Sequence, residues 1–259
     1  MKIYQVDAFT DEVFTGNPAA VCPLDNWIDD RLMQQIATEN NLSDTAFFVK
    51  ETPGEYSIRW FTPVAEVNLC GHATLASAHV LFEHLQFKGD IIEFHSKSGP
   101  LTVVMQNGLL CMDFPAQAPV PTAIPQQLAQ GLGIFPKEVL RHDDYMAVFG
   151  SAADIETLTP DFSVLRHIET RGIIATAPGD DCDFVSRFFA PGLGIEEDPV
   201  TGSTHRELAP YWANRLRQTR LTARQLSTRG GYIECEIQND RVLISGRAKT
   251  YLIGDIFVA

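Results

Sequence analysis

RWFTPVAEVNLCG at residues 59–71 and RFFAPGLGIEEDPVTG at residues 187–202 are two versions of one phrase. Each carries an Arg, two aromatics and a Pro, then a turn, then a small polar residue followed by Gly: Cys70-Gly71 in the first, Thr201-Gly202 in the second. A segment with helical character follows both. The match extends outward. IATENNLSDTAFFV (36–49) stands opposite LRHIETRGIIAT (165–176), and both read as a helix running into an apolar strand. SKSGPLTVVMQNGLLCMDF (96–114) stands opposite STRGGYIECEIQNDRVLISG (227–246), each with a Gly, an alternating strand, a polar turn and a second strand. The turns Gln106-Asn107-Gly108 and Gln238-Asn239-Asp240 suit hairpins. Segments that keep one order and nearly one offset argue for duplication, and two copies are too few for a solenoid.

The expectation is an α/β chain of two lobes, each a curled, mostly antiparallel sheet around a central helix. Residues 1–115 make the first lobe, with the extreme C-terminal strand returning to it, and residues 116–259 make the second. A pseudo-two-fold axis between the copies would put the active site in the cleft between the lobes.

Composition narrows the function. The net charge of −13 argues against nucleic acid, which requires clustered Lys and Arg. No apolar run approaches membrane-spanning length, and MKIYQVDAFT alternates like a strand rather than a signal peptide. The five cysteines are scattered without a CxxC pair, so no disulfide framework or zinc ribbon is suggested, and a reducing cytoplasm is the expected location. Gly192-Leu193-Gly194 lacks the third Gly of a dinucleotide fingerprint, and His72, His79 and His84 do not form HExxH. His79 is expected to pack against its own helix. Asp180, Asp181 and Asp183 read as a solvated loop rather than a cation site.

Along the chain, helices are expected at 29–40 and 73–86, the second apolar on most sides and therefore buried. Pro-rich residues 115–125 read as the connector between lobes. Thr159-Pro160 fits an N-cap and first-turn pair for a short helix, and Pro210 would kink or stop the helix after Gly202.

Cys70-Gly71-His72 and Thr201-Gly202-Ser203 each precede a helix start. A helix N-terminus offers unpaired N–H groups and partial positive charge, and Gly lets the backbone approach a ligand, so each is suited to a carboxylate. His72, Asp198 and Asp44 are the acid–base candidates. His72 titrates near neutrality unless perturbed. Asp198 ends the acidic run Glu196-Glu197-Asp198, where like charges could raise its pKa. Asp44 lies between a helix and an apolar strand. Taken singly, each also fits a plain structural role: a polar residue at a helix start, a cap and a turn residue.

With these residues in view, the chain resembles the PhzF-like (phenazine biosynthesis) family, relatives of diaminopimelate epimerase. The stretches that carry the resemblance are VDAFT and F-x-GNPAAV within 6–21, NLSDTAFF (41–48), FTP and CGHATLASA within 61–78, EDPVTGSTH (197–205) and RGG with V-x-ISGRA within 229–248. They span essentially the whole chain. The resemblance implies a duplicated diaminopimelate-epimerase-like fold, no metal or organic cofactor, and a homodimer. The family's phenazine member isomerises a dihydro-hydroxyanthranilate by moving a proton between carbons. By motif, the family's proton-shuttling acid falls at Asp44, its GH histidine at His72, and the aspartate and serine of its DPxTGS motif at Asp198 and Ser203. The backbone of Gly71 and Gly202 would hold the substrate carboxylate.

Two departures stand out. The family usually has Glu where this chain has Asp44, and the lost methylene sets the carboxylate back by roughly 1.5 Å, a displacement that can cost about 100-fold in rate. Arg206 and Glu207 stand where small or apolar residues are expected. The related epimerases use two thiols, whereas Cys70 is matched here by Thr201, whose hydroxyl does not ionise near neutrality. The expectation is therefore an isomerase that moves a proton on a small, cyclic, carboxylate-bearing substrate. An epimerase or dehydratase using Cys70, and a binding protein that has lost catalysis, are the alternatives.

Overall fold

The computed structural model describes residues 1–258. Met1–Asp113 and residues 245–258 form one compact unit, and Phe114–Ile244 form another. In chain order the first contains β1 (Lys2–Ala8), β2 (Asn17–Leu24), α1 (Asp30–Asn40), β3 (Asp44–Thr52), β4 (Glu55–Phe61), β5 (Glu66–Val67), α2 (Gly71–Glu83), β6 (Ile91–Ser96), β7 (Gly99–Gln106) and β8 (Leu109–Pro115). The second contains β9 (Val120–Pro121), α3 (Gln126–Leu132), β10 (Glu138–Arg141), β11 (Tyr145–Val148), α4 (Ala152–Glu156), α5 (Phe162–Leu165), β12 (Ile173–Pro178), β13 (Phe184–Ala190), β14 (Ile195–Asp198), a 3-10 turn at Gly202–Thr204, α6 (His205–Leu216), β15 (Arg220–Gln225), β16 (Gly231–Gln238) and β17 (Arg241–Gly246). β18 (Ala248–Asp255) then pairs antiparallel with β1.

The duplication reappears as a strand-pairing order. In the first unit β1–β2 is antiparallel, β2–β3 parallel, β3–β4 and β4–β5 antiparallel, β4–β6 parallel and β6–β7 antiparallel. In the second, β10–β11, β11–β12, β12–β13, β13–β14, β13–β15 and β15–β16 follow the same six orientations in turn. Registers agree as well: Thr45 faces Phe61 and Phe47 faces Arg59, as Ile173 faces Phe189 and Ala175 faces Arg187. Since side chains alternate across a strand, this agreement puts matching residues on matching faces.

α2 is apolar nearly all round, and His72 through Ala78, Val80 and Leu81 are buried. It packs against β1, β2, β3 and β18 as the central helix of its unit. It ends before the expected Gln86, because Gln86 turns left-handed (φ 55°) and the Phe87 N–H closes back on Leu81 O at 3.0 Å. α1 covers the other sheet face with Met33, Ile36 and Ala37 against Ala20, Cys22, Phe47 and Phe61. The Asp29 carboxylate caps its start by accepting the Arg31 N–H at 2.9 Å.

The second unit departs from the sequence reading in three places. The helix expected within 165–176 is only the end of α5, which stops at Leu165. Asp161, not Thr159, caps α5, because its carboxylate accepts from both Ser163 N–H (2.9 Å) and Val164 N–H (3.3 Å). α6 runs through Pro210 without stopping. Proline deprives the Arg206 carbonyl of its helical donor, and the Gln117 N–H donates to that carbonyl instead at 2.8 Å. His79, in the first unit, packs against His84 at the end of its own helix, with ring centroids 5.9 Å apart, and its Nε2 also lies 2.8 Å from Thr250 Oγ1 on β18.

One device occurs in both copies. Arg59 Nε and Nη2 donate to Glu66 at 2.8 and 2.9 Å, and Arg187 Nε and Nη2 donate to Glu197 at 2.7 and 2.9 Å. Arg187 also donates to the carbonyls of Ile155 (3.2 Å) and Leu158 (2.8 Å). Removing one member of a well-buried charge pair leaves the other uncompensated. Arg187→Met is therefore expected to destabilise the protein by roughly 3 kcal/mol in urea unfolding. A loss below about 0.5 kcal/mol would mean the fork behaves as an ordinary surface pair.

Candidate functional site

In the first unit the chain brings Asp44, Cys70, Gly71 and His72 to one place. Asp44 opens β3, where it pairs with Ala19, and Gly71 and His72 open α2. Asp44 and His72 are both buried. His72 Nε2 lies 3.7 Å from Asp44 Oδ2, and its Nδ1 lies 3.5 Å from Cys70 Sγ and 3.4 Å from Asn17 Nδ2. An amide nitrogen only donates, so His72 Nδ1 accepts and the ring proton sits on Nε2, toward Asp44. Burial pushes His72 down to about 4, which leaves the imidazole neutral at physiological pH. Asn17, fully buried at the start of β2, is a site residue that the motif reading passed over. Its signal was its place inside GNPAAV.

In the second unit Asp198 ends β14, and Thr201, Gly202 and Ser203 lead into α6. The Thr201 hydroxyl donates to Asp198 Oδ2 at 2.5 Å. Gln225, buried on β15, ties this turn together: its Nε2 donates to Asp198 O at 2.8 Å and its Oε1 accepts the Thr201 N–H at 2.9 Å. Nothing in the local sequence marks Gln225. His205 Nδ1 donates to Thr201 O at 3.1 Å, which fixes the carbonyl behind the Gly202 turn. Within Glu196-Glu197-Asp198, Glu197 is held by Arg187 at 2.7 Å. Ser203 Oγ accepts from Arg171 Nη1 at 3.1 Å.

Asp44, Cys70 and His72 each offer a ligand atom within 4.8 Å of the others, a donor set that also suits a thiophilic divalent cation. His142, Asp143 and Glu207 form a second such group, with His142 and Asp143 exposed. Burial and the neighbouring Asp144 push Glu207 up to about 7.

Buried titratable groups make stability depend on pH. Burial pushes His72, His79 and His205 each down to about 4, so between about pH 4 and 6.5 the unfolded chain binds protons that the native chain does not. Stability therefore rises with pH across that window, by at most about 3 kcal/mol per histidine. Glu207 acts oppositely: its native carboxyl keeps a proton up to about pH 7, so its contribution is lost as pH rises from about 4.5 to 7. Urea midpoints should climb from pH 4 to 6.5, and more steeply in Glu207→Gln. Flat midpoints over this range would show that the buried imidazoles protonate in the native state as readily as in the unfolded one.

Comparisons with known proteins place the chain in a family. Residues 6–254 match the family model described as phenazine biosynthesis-like protein (PhzC-PhzF). The chain is 51% identical over 256 residues to an uncharacterized isomerase of Pseudomonas aeruginosa, covering 99% of this chain and 98% of that one. A crystal structure of a PhzF-family phenazine biosynthesis protein from Enterococcus faecalis superposes with a TM-score of 0.97 at 46% identity, covering 99% of each chain. At the level of fold alone, a probable proline racemase from Agrobacterium radiobacter matches with a TM-score of 0.66 at 10% identity, covering 100% of this chain and 93% of that one. Among the described residues no helix is long and apolar enough to cross a membrane. A duplicated α/β chain of the diaminopimelate-epimerase-like kind, matched along nearly its full length, belongs to the phenazine biosynthesis-like (PhzC/PhzF) family and is an enzyme of the isomerase type.

Proposed function

We propose that this isomerase moves a proton between two carbons of a small, cyclic, carboxylate-bearing substrate without a cofactor. Asp44 is the base that takes the proton from carbon. The freed electron pair shifts through an adjacent double bond, and Asp44 returns the proton to a second carbon, so the enzyme ends as it began. His72 and Asp198 orient the ring and the travelling proton. Gly71, Gly202 and Ser203 hold the carboxylate. Homodimerisation and a cytoplasmic location belong to the same proposal.

The observation that carries this reading is the buried pair of Asp44 and a neutral His72, with Nε2 3.7 Å from Oδ2. An imidazolium at that distance would hold Asp44 ionised and weaken it as a base; a neutral ring places no charge beside it. The carboxylate sits beside the N-terminus of α2, where negative charge developing on a substrate is favoured. The shorter Asp44 side chain is the point at which substrate preference departs from relatives that carry Glu. A second reading, an epimerase or dehydratase with Cys70 as the base, draws support from the 3.5 Å approach of its Sγ to His72 Nδ1. It is weaker, because the matching Thr201 hydroxyl is taken up by Asp198.

The test is proton exchange by NMR in D2O, with a dihydro-hydroxyanthranilate and a panel of cyclic and linear amino acids. Deuterium should enter one ligand carbon. Asp44→Asn should slow this by about 100-fold or more, the usual worth of a positioned base, and His72→Ala should lower it as well. Exchange that survives Asp44→Asn but is lost in Cys70→Ala would replace this reading with the thiol mechanism. Absence of exchange in both the parent and Asp44→Glu, with ligand still bound, would make this a binding protein.

A further inference from the structure

The two copies can be compared position by position through their shared register. Phe61 and Phe189 correspond, as do Thr45 and Ile173, so Asp44 corresponds to Gly172 and Ser43 to Arg171. The helix starts correspond too, Gly71 with Gly202 and His72 with Ser203. In the first copy the first residue of β3, Asp44, sets an anion beside His72. In the second copy Gly172 replaces that carboxylate, and its missing Cβ leaves room for the Phe188 ring, which would lie 2.1 Å from one. The neighbouring Arg171 sets a cation beside Ser203, at 3.1 Å. The same corner of the repeat thus carries opposite charge in the two copies.

Arg171 is held in place rather than free. Its Nε donates to Asp144 Oδ1 at 3.0 Å and its Nη2 to Asp144 Oδ2. Its guanidinium carbon lies 5.5 Å from the centre of the Phe188 ring. Asp144 is fully buried, and its own N–H donates to Glu207 Oε1 at 3.2 Å. Glu207 stands one helical turn beyond Ser203, so the network closes on itself: Ser203, Arg171, Asp144, Glu207 and back through α6. Glu207, a departure in the sequence, therefore braces the loop that holds Arg171. A guanidinium has five N–H donors and no acceptor. Two go to Asp144 and one to Ser203, which leaves two, on a side chain that is 40% exposed. Because Arg171 can only donate, Ser203 Oγ accepts, and the serine proton is left to donate onward.

We infer that Arg171, braced by Asp144 and Glu207, is a second anchor for the substrate's carboxylate and orients the Ser203 hydroxyl toward it. This rests on the carboxylate reading of the Gly202–Ser203 turn under Proposed function. Arg171 then supplies the cation that fixes the anionic end of the substrate.

Calorimetric titration of the full chain with anthranilate and with its neutral amide, anthranilamide, tests this. Arg171→Gln should weaken anthranilate binding by about 10- to 100-fold, the range for a charge-assisted hydrogen bond, and leave anthranilamide binding unchanged. Arg171→Lys, which keeps the charge but cannot span Asp144 and Ser203, should fall between. If Arg171→Gln fails to fold because Asp144 is left buried alone, the double variant with Asp144→Asn replaces it and should show the same selective loss. A merely structural arginine would weaken both ligands alike, and that result overturns the inference. So does anthranilate binding that survives Arg171→Gln but is weakened by Ser203→Ala, which leaves the carboxylate reading standing. Anthranilate binding indifferent to both changes, or absent from the parent, removes the carboxylate reading and this inference with it.

Discussion

A guanidinium laid against the carboxylate of the returning strand, in matching places of both copies, fixes the segment ahead of each helix start. Arg59 grips Glu66 across β4 and β5, and Arg187 grips Glu197 across β13 and β14. In each copy the strand pair leads within a few residues to a helix start, Gly71 of α2 or the turn at Gly202 before α6. The fork is bidentate and partly buried, so it fixes angle as well as distance. Each guanidinium also lies over the ring two residues on, with Arg59 5.2 Å from the centre of Phe61 and Arg187 5.1 Å from that of Phe189. The segment ahead of each helix is thereby tied to the sheet.

Burial then supplies the chemistry. His72 lies inside its unit, and desolvation keeps it neutral, which makes it a hydrogen-bond partner rather than a charge. The protein bears the cost of removing polar groups from water by partnering them. Asn17 meets His72, Gln225 clamps the Asp198–Thr201 turn, and Arg171 meets Asp144. Each partner comes from a different strand or loop, so rigidity at the site depends on the sheet holding its register.

The duplication has diverged where it matters for chemistry and persisted where it matters for folding. Strand order, strand direction and the arginine fork are shared. The side chains at the corresponding corners are not: Asp44 and His72 in one copy, Gly172 and Ser203 with Arg171 in the other. Thr201, the counterpart of Cys70, is bound to Asp198 and is not a second thiol. A framework repeated twice can keep its packing while the side chains at its corresponding corners diverge.

Much of this was legible in the chain itself. The alternation of apolar residues located the first strand and both hairpins, the apolar composition of 73–86 marked a buried helix, and the repeated phrase announced the duplication. Cys70-Gly71-His72 and Thr201-Gly202-Ser203 were legible as helix starts, and the structure has them there. These features depend on near neighbours, and local propensity and periodicity record them. Tertiary structure alone decided the rest. It let α6 run through Pro210 by supplying the Gln117 N–H, moved the cap of α5 to Asp161, and turned His79 toward Thr250. It also brought Asn17 to His72 across 55 residues and Arg171 to Ser203 across 32. Hydrogen-bond partners, burial and protonation state are set by groups distant along the chain, and those distances exist only once the sheet has chosen its register.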